Sequence, residues 1–426
     1  MNMTKFPGRK ITGVNLNSGD LMGRRFNGFD LKPHLEQLGV SMRQLVYWNR
    51  QSKEDFVEKA FDYPASRHIT RVLNRVEAGL SIHSRLHAHS WTLGFHKSVR
   101  EADILHLHII HDGYFSFSAL PYITRNKPTV WTWHDPWPMT GHCLHPLECP
   151  RYRIGCGQCP DLARLFSMKK DKTASQFSWK DTVFAKTKAD VIVASSWMLE
   201  MAAKAPLARH FKFHHIPFGL NLDRYTPGDR EAARQRFGIT PKRPVLFLRA
   251  ISSPYKGLSE FKEALNYLPS DLKLSIIVVQ ESGHFDKWIG HHQIIENGWT
   301  NDEQMLIDAY TACDFFVMPS RAESFGMMAI EAMACARPVV SFADTSVADI
   351  TFAPHVGVCA AANSTVALAR AIEQLARNLG DTRARGLTSR LLAEDHYDIR
   401  IQAQRTAALY RDVIKKRSRQ KDVERS

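Results

Sequence analysis

The chain has 426 residues, more than one hydrophobic core organises at about 250–300 residues, so two domains are expected. At 44% hydrophobic and 23% charged residues it has the composition of a folded globular protein, which excludes a disordered or fibrous chain. Lysine and arginine number 57 against 43 aspartates and glutamates, a formal net charge of +14; this suits an anionic partner such as a diphosphate or an acidic lipid headgroup, and no helix-turn-helix, zinc-finger or RNA-binding signature points to nucleic acid.

The opening residues MNMTKFPGRKITG lack the apolar stretch of a signal peptide, and apolar runs such as residues 276–279 are far too short to span a bilayer. A soluble, cytoplasmic protein is expected. Residues 11–16 read as a strand, residues 18–23 as a glycine-containing turn, and a helical stretch follows to Leu38-Gly39. Residues 102–110, 127–135 and 189–196 read as buried parallel strands, with a helix-like segment at 180–187. After the punctuating Pro227-Gly228 a second series begins: strands at 243–250, 272–279, 314–320 and 337–342 alternate with helices at 258–268, 302–313 and 327–336. The fold class is therefore α/β, as two doubly wound domains whose ligands bind at the carboxyl ends of strands. The polar, basic tail from Asp412 onward reads as a frayed terminus or as a membrane contact.

The most informative segment is PSRAESFGMMAIEAMACARPVVSF, from Pro319 to Phe342. A strand ends, a polar loop holds Glu323, and an amphipathic helix carries Glu331. Two turns of helix put the glutamates roughly 12 Å apart, able to touch different parts of one extended ligand. Ser324, Phe325, Gly326 and Met327 lie at the helix start, where free backbone N–H groups and the helix dipole favour a diphosphate and Gly326 lets the ligand approach the backbone.

This segment, with its pattern of glutamate, seven residues, glutamate, resembles the retaining glycosyltransferases of family 4, which have the GT-B fold of two Rossmann-like domains with the active site between them. ADILHLH, KPTVWTWHDPWPMTGHC, CGQCPDL, VIVASSW, IPFGLNLDRYTP, YKG and ENGWTNDEQMLIDAY are similar to family stretches in the same order, and the His-Asp-x-Trp-Pro and cysteine segments resemble a bacterial surface-polysaccharide (colanic acid-like) branch. The resemblance implies an acceptor-binding domain over residues 1–225, a nucleotide-sugar-binding domain over 226–400 and a last helix, 401–426, crossing back to the first. It implies that Glu331 holds the ribose of a UDP- or GDP-linked donor, that Glu323 and the following amides hold the transferred sugar, and that Lys256 in YKG neutralises the leaving diphosphate. Arg249 would assist Lys256, although the family usually places this arginine one residue closer to the lysine. Gly23 would approach the donor phosphates, with the usual adjacent glycines missing. His134 resembles the family histidine that contacts the donor sugar, the alternative being a histidine bonded within its own domain. Asp349 follows a loop from which the family's paired glycines are absent. The chain contains no Asp-x-Asp pair, so no catalytic metal is expected and cationic side chains must stabilise the charge left on the diphosphate.

Cys143, Cys149, Cys156 and Cys159 crowd one stretch with His142 and His145 nearby, and the closing C-x-x-C is a chelating hairpin suited to structural zinc; four unligated thiols or an oxidised pair are the alternatives. His83, His87, His89 and His96 form no single helical face and read as solvated or singly bonded. Residues 167–180 mix lysines with Phe177 and Trp179, a pattern for an anionic membrane surface beside a lipid-linked acceptor or for a solvated face. The expected activity is transfer of a sugar to a glycan or lipid-linked acceptor; the alternatives are a nucleotide-sugar epimerase of the same fold and a non-catalytic nucleotide-sugar-binding protein.

Overall fold

The computed structural model describes residues 9–61, 65–300 and 302–425. Residues 1–8 of the opening stretch, Asn301, and the side chains of the basic tail beyond Arg419 lie outside what is described. The chain forms two compact units, residues up to Phe218 together with those from Ile399, and Gly219–Asp398.

In the first unit a seven-stranded parallel sheet runs in the order β3-β2-β1-β4-β5-β6-β7. Its strands are β1 Ile11–Gly19, β2 Val40–Asn49, β3 Val57–Lys59, β4 Ile104–Leu107, β5 Thr129–Thr132, β6 Asp190–Val193 and β7 Lys212–His215. β4 and β5 are buried along their whole length, as a parallel strand covered by helices on both faces requires. On one side an aromatic-rich core gathers Trp131, Trp133, Trp137, Phe117 and Phe184. On the other, Ala403, Ala407, Leu409, Tyr410 and Val413 of the final helix Ile399–Arg425 pack with Leu35, Val40, Met42 and Ile104.

The second unit carries a six-stranded parallel sheet, order β10-β9-β8-β11-β12-β13. Its strands are β8 Val245–Ala250, β9 Ser275–Gln280, β10 Gln293–Glu296, β11 Phe315–Met318, β12 Val339–Phe342 and β13 Val358–Ala360. The helix Thr365–Arg377 shows why such a layer forms: Ser364 caps it by accepting from Ala367 N–H, and Leu368, Ile372 and Leu375, spaced four and three residues apart, are buried on the sheet. Each such side chain contributes about 1.5–3 kcal/mol of burial.

Two expectations are corrected here. The first unit ends at 218 rather than 225, because Leu220 N–H donates to the Tyr397 carbonyl (2.7 Å) and Arg390 to that of Tyr225 (2.7 Å), tying residues 219–225 into the second unit. The return to the first unit begins at Ile399 rather than 401. Within residues 167–180, Lys169, Lys170 and Lys172 are exposed, whereas Phe177 belongs to the core and Lys180 is buried with its Nζ 3.1 Å from the Trp137 ring centre, donating to the carbonyls of Trp137 (2.7 Å) and Thr140 (2.9 Å). Among the described residues no helix is long and apolar enough to cross a membrane.

Candidate functional site

In the second unit the loops after β8 and β11 are sewn together. Arg321 and Ala322 N–H both donate to the Tyr255 carbonyl, at 2.9 and 3.2 Å. Gly257 makes the approach possible, since its φ is +70° and a Cβ there would stand 1.7 Å from the Pro319 carbonyl oxygen. The result is a salt bridge of 2.8 Å from Lys256 Nζ to Glu323 Oε2, with both side chains partly open to solvent. Arg249, the penultimate residue of β8, lines the same small pocket as Lys256, with Pro319, Ser320 and Met328. Its guanidinium reaches Gln280 Oε1 at 3.4 Å and Met328 Sδ at 3.7 Å.

Immediately after Glu323, Ser324 and Phe325 are buried and Gly326 turns with φ +104° into the helix Met327–Ala334. A Cβ on Gly326 would sit 3.2 Å from Val347 and 3.4 Å from Ile350. Ser346 Oγ lies 2.9 Å from the Glu323 carbonyl and 3.0 Å from that of Phe325, clamping the turn. The helix has no side-chain N-cap, so its first amides point past Gly326 without an intrahelical acceptor. Glu331 stands apart from this arrangement. It has no exposed surface, and its carboxylate accepts from the Tyr310 hydroxyl at 3.1 Å. The two glutamates are therefore on one segment but not on one open surface.

In the first unit His134 follows β5 and Gly23 follows β1, at carboxyl ends of neighbouring parts of the sheet. They are linked through Phe26: a Cβ on Gly23 would stand 2.6 Å from the Phe26 ring, and that ring lies 5.4 Å from His134. His134 stacks on Phe218, 5.5 Å between centroids and 15° between planes. Behind it His134 Nε2 is 3.1 Å from His108 Nδ1, and His108 Nε2 is 3.4 Å from Asn15 Oδ1. Burial pushes the His134 imidazole down to about 4 and His106 to about 3, and drives His108 well below its ordinary value. All three rings are neutral at pH 7. Asp135 is held below its usual range: burial works against that, and the His111 ring 3.1 Å away together with the Trp137 N–H outweighs it. His134 is thus a neutral hydrogen-bonding group with one face supported by an aromatic ring.

Cys143, Cys149, Cys156 and Cys159 all line one small cavity with His142. Their thiols are free, and among the described residues no group of three or more His, Cys, Asp or Glu side chains is placed to hold a metal ion. The expected ligands are gathered without being assembled as a coordination shell. Burial pushes the Cys156 thiol up to about 11 and raises Cys143 and Cys159 as well. Of the other histidines, His83, His89 and His96 each reach a backbone carbonyl, at 2.7, 2.7 and 3.2 Å, whereas His87 is fully buried 3.6 Å from Glu77. Asp349 is exposed on the short helix Ser346–Ile350.

Sequence reading passed over several residues that shape these sites: Gly257, Ser346 and Tyr310 in the second unit, and Asn15, Phe26, His108 and Phe218 in the first. Gly257 stood beside Lys256 and was the one with a readable signal, a glycine directly after a candidate catalytic residue. The others act through contacts made only on folding.

Residues 229–385 match the family model described as Glycosyl transferases group 1. A D-inositol 3-phosphate glycosyltransferase of Geodermatophilus obscurus is 25% identical over 263 residues, 56% of this chain and 52% of the relative, so the chain spans about half the length of the curated relative it matches. Among solved structures, the sucrose-phosphate synthase of Thermosynechococcus elongatus covers 95% of this chain and 99% of its own, with a TM-score of 0.64 and 15% identity. Anabaena Alr3699/HepE in complex with UDP and glucose covers 94% and 99%, with a TM-score of 0.60 and 14% identity. At such low identity the structural likeness speaks for the fold. The two Rossmann-like α/β units are those of the GT-B fold, and residues 229–385 match the glycosyl transferases group 1 family.

Proposed function

We propose that the chain transfers a sugar from a UDP- or GDP-linked nucleotide sugar to a glycan or lipid-linked oligosaccharide acceptor in surface-polysaccharide assembly, with retention of anomeric configuration. The carrying observation is the Lys256–Glu323 pair at 2.8 Å, held beside the start of the helix Met327–Ala334 within the segment that matches glycosyl transferases. Breaking the anomeric C–O bond leaves negative charge on the diphosphate. Lys256 and Arg249 supply preorganised positive charge there, and the amides at Gly326 and Met327 supply donors. Glu323, released from Lys256 by the competing diphosphate, accepts from sugar hydroxyls. His134, neutral at pH 7, bonds the sugar without adding charge. For Glu331 to hold the ribose, its buried carboxylate must become accessible to the nucleoside.

A lipid-linked acceptor brings the chain to the cytoplasmic face of a membrane, and the net charge of +14 supports peripheral contact with anionic lipid. A structural zinc on Cys143, Cys149, Cys156 and Cys159 is also proposed. Its support is the convergence of the four cysteines on one cavity. Binding would draw the sulfurs inward from their present positions and deprotonate them. Elemental analysis of the purified chain should find one zinc, lost in Cys156→Ser; metal-free protein from zinc-replete cells would dismiss it.

The activity is tested by incubating the chain with UDP- and GDP-sugars and measuring free nucleoside diphosphate, with the product's anomeric signal read by NMR. Release with one nucleotide, a retained anomer and loss of release in Glu323→Ala are expected. Equal release by Glu323→Ala would remove the site, and an inverted product would remove retention.

A further inference from the structure

The helix Ser66–Leu80 of the first unit is built inside out. Its fully buried residues are polar, Thr70 and Glu77. Thr70 bonds the Tyr47 hydroxyl, Asn74 Nδ2 donates to the Gly113 carbonyl at 2.8 Å, and the Glu77 carboxylate accepts from the backbone N–H of Ser84, Arg85 and Leu86 at 2.9, 2.6 and 2.6 Å. These contacts fix the helix to the unit. Its aliphatic side chains face the other way: Ile69, Val72, Val76 and Leu80 are 45%, 55%, 43% and 48% exposed. At 3.6 residues per turn they fall within an arc of about 80°. Beside that stripe runs a second, exposed one of Arg67, Arg71 and Arg75, and the helix's only acid, Glu77, is buried.

We propose that this helix is the surface by which the chain lies on a bilayer bearing anionic headgroups. The inference deepens the membrane contact proposed above by naming its surface, and it is independent of glycosyl transfer. Charge complementarity decides the occupant. An apolar stripe with exposed arginines along one side matches the boundary between acyl chains and lipid phosphates, where the aliphatics leave water and the cations are drawn to the surface. At 15 residues the helix is about 22 Å long, short of the ~30 Å hydrocarbon core, so it lies in the plane of the membrane and does not cross it.

The full chain should co-sediment with vesicles of phosphatidylglycerol and phosphatidylcholine, and not with phosphatidylcholine alone. The pair Val72→Ser and Val76→Ser, and separately the pair Arg71→Gln and Arg75→Gln, should each weaken that binding at least tenfold. Melting temperature and nucleotide-sugar turnover in solution should stay at wild-type values, because these side chains are exposed. The pair Leu387→Ser and Leu391→Ser in the second unit, whose leucines are more exposed still at 65% and 61%, should bind as wild type. Absence of binding to anionic vesicles, or wild-type binding by both helix variants, would overturn the proposal. So would a wild-type dimer in sedimentation velocity that Val72→Ser with Val76→Ser splits, since the stripe would then pair two copies. Loss of nucleotide-sugar turnover with vesicle binding intact would count against the proposed activity and leave the docking surface standing.

Discussion

The two units share a parallel-sheet architecture yet hold their candidate residues by different means. In the second, backbone does the positioning: Gly257 lies against the Pro319 carbonyl and two amides converge on the Tyr255 carbonyl, which sets the charged Lys256 and Glu323 face to face. In the first, rings do it: His134 is stacked on Phe218, flanked by Phe26 and bonded to His108, and burial keeps the imidazoles neutral. Charge is thus kept on a partly exposed pair in one unit and suppressed among buried rings in the other.

The largest effect expected from breaking this contrast is on turnover. Lys256→Ala should lower turnover by roughly 10²–10³-fold, the scale for removing one preorganised stabilising group, with the far-UV circular dichroism spectrum unchanged, because the side chain is in a loop. Gly257→Ala should act through the backbone, as a methyl cannot coexist with the Pro319 oxygen at 1.7 Å. A loss on the order of 3 kcal/mol, read as a lowered denaturation midpoint, is expected, whereas Gly39→Ala, where a Cβ meets nothing within 4 Å, should cost only its positive-φ strain.

Acid should separate the units next. His106 is held at about 3, and His83, His89 and His134 at about 4, by burial in the first unit, whereas His292 is the corresponding ring of the second, at about 4. Unfolded histidines titrate near 6.5, so between 6.5 and 4 the unfolded chain binds more protons than the folded one. Stability is complete above 6.5 and falls as pH drops toward 4, by on the order of 1–2 kcal/mol per ring at pH 5. Hydrogen exchange at pH 7 and pH 5 should show the first unit losing protection ahead of the second; equal loss would contradict the neutral-ring picture. The smallest effect belongs to His108→Gln, which removes the ring behind His134. A fall in turnover of about tenfold or less is expected, and the stability of the second unit should not change.

The parts of this architecture that were legible in the sequence are those with strong local signals. β4, β5, β8, β9, β11 and β12 are apolar runs buried on both faces, and the loop-helix segment with Glu323, Gly326 and Glu331 carries its own punctuation. β3, β7, β10 and β13 are set by pairing with a neighbouring strand, and Lys212–His215 has no apolar alternation to read. The apolar residues of the helix Ser66–Leu80 recur at helical spacing in the sequence, but that this stripe faces away from the core is set only by the tertiary contacts of Thr70 and Glu77. The pairing of Lys256 with Glu323 spans 67 residues and exists only through the crossing at Gly257. Closure of Glu331 by Tyr310, 21 residues away, is likewise a tertiary fact, as is Lys180, a lysine placed among tryptophans.

The most direct test of the central claim, that the second unit holds a nucleotide-sugar diphosphate at Lys256 and Glu323, is a thermal-shift series of the full chain against UDP-, GDP- and ADP-sugars beside Lys256→Ala. Ligand at a hundred times its Kd adds about 2.7 kcal/mol to the native state. One nucleotide family should therefore raise the melting temperature by a few degrees in the wild type and leave Lys256→Ala where it was. No shift with any donor, or the same shift in both proteins, would contradict the account.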